Sequence, residues 1–204
     1  TFDGTAAGTA STVIVTLNNA NAADKSADLT TIALGGTDVS IASITVADSL
    51  TFTGTLHGTV KTIVATDATL TTTAAKVAGK TIDGDGTVAI TALDQTLAAD
   101  LSGITATSVT AAFDNTGTFT GTIGSAVVTV ATDATLTTTA AKATTETIDG
   151  AGNIAITALT TANTDLSGIT VSGTKTVAAS DTLNATTDLG AFAVTVANGA
   201  TLTA

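Results

Sequence analysis

Short alternations of apolar and polar side chains, punctuated by turn residues, run along this chain. In Thr12-Val13-Ile14-Val15-Thr16-Leu17 the side chains of Val13, Val15 and Leu17 share one face. That period of two is the pattern of a half-buried strand. Ile44-Thr45-Val46, Leu50-Thr51-Phe52, Val88-Ala89-Ile90, Val128-Thr129-Val130, Ile154-Ala155-Ile156 and Val194-Thr195-Val196 read the same way. Turn chemistry separates them: Asn18, Asn19 and Asn21, an exposed loop from Asp24 to Asp28, Asp83-Gly84-Asp85-Gly86, Asp149-Gly150-Ala151-Gly152 and Asn198-Gly199. One helix-like stretch, Thr73 to Lys80 with its echo Thr139 to Glu146, is too rich in Thr and too short for an independent helix. It reads as a loop or a single turn.

The pattern recurs. Ala-Thr-Asp-Ala-Thr-Leu-Thr-Thr-Thr-Ala-Ala-Lys occupies 65–76 and again 131–142, and a third copy opens at Ala197. Thr66, Thr132 and Asn198 mark the same point in each, 66 positions apart. Thr-Ile-Asp-Gly (81–84, 147–150), Ala-Ile-Thr-Ala-Leu (89–93, 155–159) and Asp-Leu-Ser-Gly-Ile (100–104, 165–169) follow in step. Asp28 to Ile32 echoes the last of these. Thr51-Phe52-Thr53-Gly54-Thr55 returns as Thr118-Phe119-Thr120-Gly121-Thr122, and Thr1 to Thr5 resembles both. Residues 1–62 thus form a divergent first unit, 63–128 a second, 129–196 a third, and 197–204 the start of another. Short strands in a long repeat predict an all-β fold, a parallel β-solenoid 1–204 in which stacked coils share one core. Dividing 66 residues by three gives coils of roughly 22, within the solenoid range. Immunoglobulin-like sandwiches need about 100 residues, more than this period holds.

Composition sharpens the picture. The chain is 44% hydrophobic but only 2% aromatic, without Pro, Trp, Tyr, Met or Cys. The interior is therefore narrow and filled by small aliphatic groups, and the missing prolines suit strands that donate on both sides. The net charge of −11 opposes nucleic acid and anionic lipid surfaces, both of which are recognised through Lys and Arg. No run of about 18 apolar residues forms a membrane-spanning helix. A membrane β-barrel would need aromatic girdles that this composition does not supply. The lack of an initiating Met, of a signal-like start and of a complete third copy leads us to expect a chain whose leader is removed, or a window of a longer protein.

Candidate chemistry is sparse. His57 is the only histidine and has no nucleophile and orienting acid patterned around it, so no catalytic role is expected and the chain does not read as an enzyme. Asp83 and Asp85, on a Gly-permitted turn, are the candidate metal ligands, with calcium the cation that two carboxylates there would attract. The next unit keeps Asp149 but has Ala151 at the second place. Thr71 and Thr73, Thr137 and Thr139, and Thr201 and Thr203 form recurring Thr-x-Thr pairs. They suit an outward strand face, and on a flat face they would also offer a surface to ice or carbohydrate.

The repeated phrases, together with the Thr/Ala-rich, Cys-free and Pro-free composition, resemble the large repetitive surface proteins of bacteria: β-strand-repeat adhesins and surface-layer-like or matrix-forming proteins. The resemblance spans most of residues 60–204. It implies an extracellular or cell-surface structural role, and a partner that is another copy joined head to tail into a filament or layer, without nucleic acid or membrane insertion. The alternative it leaves is an adhesin or an ice- or carbohydrate-binding module.

Overall fold

The computed structural model describes residues 11–19, 25–29, 39–160, 164–184 and 189–203. Asn21, Asp24 and the echoes at 1–5 and 30–32 lie outside them.

Seventeen strands follow in chain order: β1 (Ser11–Leu17), β2 (Val39–Val46), β3 (Leu50–Thr51), β4 (Thr62–Val64), β5 (Thr69–Thr73), β6 (Ile82–Asp83), β7 (Thr87–Thr91), β8 (Ser108–Phe113) and β9 (Gly117–Thr118). Then come β10 (Val127–Val130), β11 (Thr135–Thr139), β12 (Ile148–Gly150), β13 (Asn153–Leu159), β14 (Lys175–Ala179), β15 (Leu183–Asn184), β16 (Ala193–Val196) and β17 (Leu202–Thr203). The helix-like stretches are single four-residue turns, α1 (Ala74–Val77) and α2 (Ala140–Ala143). Ala74 and Val77 close a corner inward and are buried, and Ala140 and Ala143 do the same one repeat later.

The described strand pairs are all parallel, and the chain winds as a β-solenoid of about eight turns. Its sheets are ordered β1-β2-β4-β6, β3-β5-β7-β8-β10-β12, β9-β11-β13-β14-β16 and β15-β17. Parallel stacking brings like positions of successive coils together, so the core is a set of columns. One column rises through Thr72, Ile90, Ala111, Val128, Ile148 and Ile169. Another runs Leu50, Leu70, Val88, Val109. Each of these side chains is buried. Branched aliphatic groups of similar size stack at the strand spacing of about 4.8 Å, which fills a narrow interior without aromatic bulk. Phe52, Phe113 and Phe119 are the exceptions, and all three are buried.

Coil length departs from the even division. Thr69 lies against Thr87, Thr87 against Ser108 and Thr110 against Val127, so successive tiers stand 18, 21 and 17 positions apart. Three such coils are shorter than 66 residues. As a result the identical Thr69–Thr73 and Thr135–Thr139 fall in different sheets. Strand β8 makes the handover: residues 108–111 pair with β7 and residues 110–113 with β10. The corners set this count. Asp67 and Asp133 turn with positive φ (64° and 67°), which completes a bend in few residues.

Candidate functional site

The Asp83–Asp85 turn sits at the end of β6. Asp83 pairs with Lys61, Nζ to Oδ2 2.8 Å, across one tier, while Asp85 is exposed. The carboxylate oxygen a cation would use is thus already bound to an ammonium. Among the described residues no three His, Cys, Asp or Glu side chains gather into a metal-sized group. One repeat on, Val127 stands where Lys61 stood, and Oδ1 of Asp149 is enclosed without a hydrogen-bond partner among the described residues.

His57 closes its own turn. Its Nδ1 accepts the backbone N–H groups of Thr59 and Val60, both at 3.2 Å. This is the side-chain-to-backbone bonding that fixes turns.

The Asp-Leu-Ser-Gly-Ile phrase is also a turn. Oδ1 of Asp100 accepts both the Ser102 N–H (3.0 Å) and the Ser102 hydroxyl (2.7 Å), and Asp165 accepts the Ser167 N–H at 2.9 Å. These bonds hold both carboxyls below their usual range, with the serine hydroxyl the largest cause. Leu101 and Ile104, and likewise Leu166 and Ile169, point inward. The motif anchors a corner.

The Thr-x-Thr pairs lie on outward positions. Thr71 aligns with Thr51 on β3, and Thr137 with Thr118 on β9. Because β5 and β11 belong to different sheets, the two copies make separate patches and no single strip runs along the rod.

The ends of the stack are where apolar side chains meet solvent. Among the described residues the exposed large hydrophobics are Ile14 (60%), Val194 (39%) and Val196 (43%). Ile14 is on β1, an edge strand, and the two valines are on β16, the edge of its sheet. Val194 and Val196 sit in register on Val177 and Ala179, which are buried. They continue interior columns but are covered from one side alone. The sequence marks Val194-Thr195-Val196 as a strand, yet nothing in its letters distinguishes it from the buried Val128-Thr129-Val130. A strand edge of this kind also presents unpaired N–H and C=O groups. No described helix is long and apolar enough to cross a membrane.

Comparison with known protein families, characterised proteins and solved structures finds no match to this chain.

Proposed function

We propose that this chain is part of an extracellular structural rod that continues by adding strands at its ends, as a filament or as a layer of such rods. The observation that carries the reading is the open column at Val194 and Val196 on edge strand β16. Apolar burial and strand pairing both favour a further tier on that edge. The tier comes from more repeats of the same polypeptide or from a second copy docked head to tail, and heterologous contacts of the second kind grow into fibres. The extracellular, bacterial-surface setting rests on the resemblance of the repeats. We read the 66-residue repeat, three coils of roughly 22 in the even division, as the unit in which surface pattern is reissued. Thr62↔Ile82 and Val128↔Ile148 are equivalent pairs one repeat apart, which supports that reading. The repeat delivers each copy to a neighbouring sheet. Calcium at Asp83 and Asp85 would require Lys61 to be displaced.

Sedimentation velocity and negative-stain microscopy of the 1–204 chain over a wide concentration range test the proposal, with and without chelator. End-to-end growth that Val194→Lys with Val196→Lys abolishes, the fold being intact by circular dichroism, is the expected result. A strictly monomeric species at high concentration overturns head-to-tail assembly of copies. Fibres that dissolve on chelation would bring Asp83 and Asp85 back as ligands.

A further inference from the structure

A cavity of about 350 Å³ opens to solvent at the first tiers, lined by Asn19, Lys25, Ser49, Leu50, Thr51, Thr69 and Thr71. Its floor is the outward face of β3 and β5, where Thr51 and Thr71 stand side by side in register. Its rim comes from the segment after β1. Lys25 is fixed there through its backbone oxygen, which accepts both the N–H (2.6 Å) and the hydroxyl (3.1 Å) of Thr53. Ser49 is fixed as well, its hydroxyl oxygen accepting the Thr69 N–H at 2.9 Å. A chain with 17 acidic side chains and six basic ones has here a pocket whose described lining holds one ammonium and no carboxylate.

We propose that this cavity binds a polyhydroxylated monocarboxylate, a uronic acid unit of an acidic polysaccharide. The lining decides the class. Lys25 supplies one cation for one negative charge, through the charge-assisted bond that carboxylates make with ammonium. The Asn19 amide and the hydroxyls of Thr51, Thr69 and Thr71 offer both donors and acceptors, the complement of ring hydroxyls. A zwitterionic amino acid would bring an ammonium that finds no carboxylate in this lining. A phosphate dianion calls for more than one cation, and a nucleobase for an aromatic platform that a chain without Trp or Tyr lacks here. The cavity volume lies at the small end of ligand sites and suits one sugar ring, while the open mouth lets a polymer pass. At physiological salt the field of distant aspartates is screened beyond about 8 Å, so the local lining governs. This site is independent of the strand edge at β16.

Titration calorimetry with oligogalacturonate, its methyl ester, a neutral glucose oligomer and acetate tests the assignment. The acid oligomer is expected to bind, and esterification, Lys25→Ala or Lys25→Gln each to weaken it about tenfold or more, the loss of one hydrogen bond to a charged group. Thr71→Val, nearly isosteric and outward, is expected to weaken it severalfold with an unchanged circular dichroism spectrum. Three results overturn the proposal: no binding at millimolar ligand, equal affinity for acid and ester, or an affinity indifferent to both Lys25 variants. Acetate binding as tightly as the oligomer overturns the sugar assignment and leaves a simple anion site.

Discussion

Thr138 donates its hydroxyl to the backbone oxygen of Phe119, one tier away, at 2.9 Å. Thr72 is the same letter of the repeat, is equally buried, and its hydroxyl oxygen finds no partner among the described residues. Identical sequence has therefore produced one satisfied and one unsatisfied interior threonine. Valine preserves the shape and removes the polar atom. Thr138→Val is expected to lower unfolding free energy by about 1 kcal/mol, and Thr72→Val to raise it by about 1 kcal/mol, since an unpaired buried group costs its desolvation. Urea titration of the two variants in parallel checks this, and equal effects would show that the two hydroxyls are equivalent in solution.

The Phe-Thr-Gly phrase has a steric origin that a glycine replacement exposes. At Gly121 a Cβ would collide with the backbone oxygen of Ala99 in the coil below and with the ring tip of Phe119. At Gly54 the same atoms belong to Ala27 and Phe52. A backbone carbonyl cannot move aside as a flexible side chain can. Gly121→Ala and Gly54→Ala are expected to cost about 3 kcal/mol or more, at the upper end of overpacking effects. Gly58→Ala, where a Cβ meets nothing within contact distance, is expected to change stability by less than about 0.5 kcal/mol. Thermal melts of the three proteins separate crowding from a general glycine effect.

These cases mark how far the letters reach. Val88-Ala89-Ile90 and Ile154-Ala155-Ile156 announce strands because alternation is local, and both lie within strands. The parallel solenoid followed from short strands in a long repeat. The coil length was not legible, because it depends on how many residues each corner consumes. Ala74–Val77 folds into a helical turn, Leu93–Gln95 into a 3₁₀ turn, and Asp67 adopts positive φ despite its side chain. None of those choices is written in the hydrophobic pattern. The cavity was equally silent: Lys25 reaches Thr51 and Thr71 through the backbone bonds of Thr53, a tertiary contact without a motif.

Stability should depend on pH at both turns of the Asp-Leu-Ser-Gly-Ile type. The serine hydroxyl and N–H hold Asp100 and Asp165 below the usual carboxylate value, so the folded chain binds fewer protons than the unfolded one as pH falls. Their contribution is complete above the unfolded value and is lost as pH drops through the lowered folded value. Glu146 has the opposite sign. Partial burial raises its pKa, so stability declines as pH rises from the unfolded value through the raised one, and stays lower above it. Ser102→Ala with Ser167→Ala is expected to flatten the acid limb of a melting-temperature profile. Glu146→Gln should raise the melting temperature at neutral pH and leave it unchanged in acid. A wild-type profile retained in the double serine variant would remove the turns as the cause.

The difference between Lys61 and Val127 yields the most direct test of repeat divergence. Asp83 opposes Ile63 and Asp149 opposes Thr129 in equivalent registers, so both carboxylates extend from the same side of the sheet. Lys61 meets Asp83 at 2.8 Å, whereas half-buried Val127 leaves one oxygen of Asp149 enclosed and unpaired. Val127→Lys copies the earlier repeat into the later one. A lysine there also keeps its methylene stem over the surface that Val127 now covers. The gain is expected to be modest, about 0.5 kcal/mol, because the reference pair is itself partly exposed and such pairs contribute little. Asp149→Asn then separates the effects. If the lysine acts through the carboxylate, its gain disappears in the Asp149→Asn background, and a double-mutant cycle in urea reports the coupling directly. Raising the salt concentration should shrink that coupling. A gain that survives both the asparagine and high salt would mean that the lysine acts through packing alone.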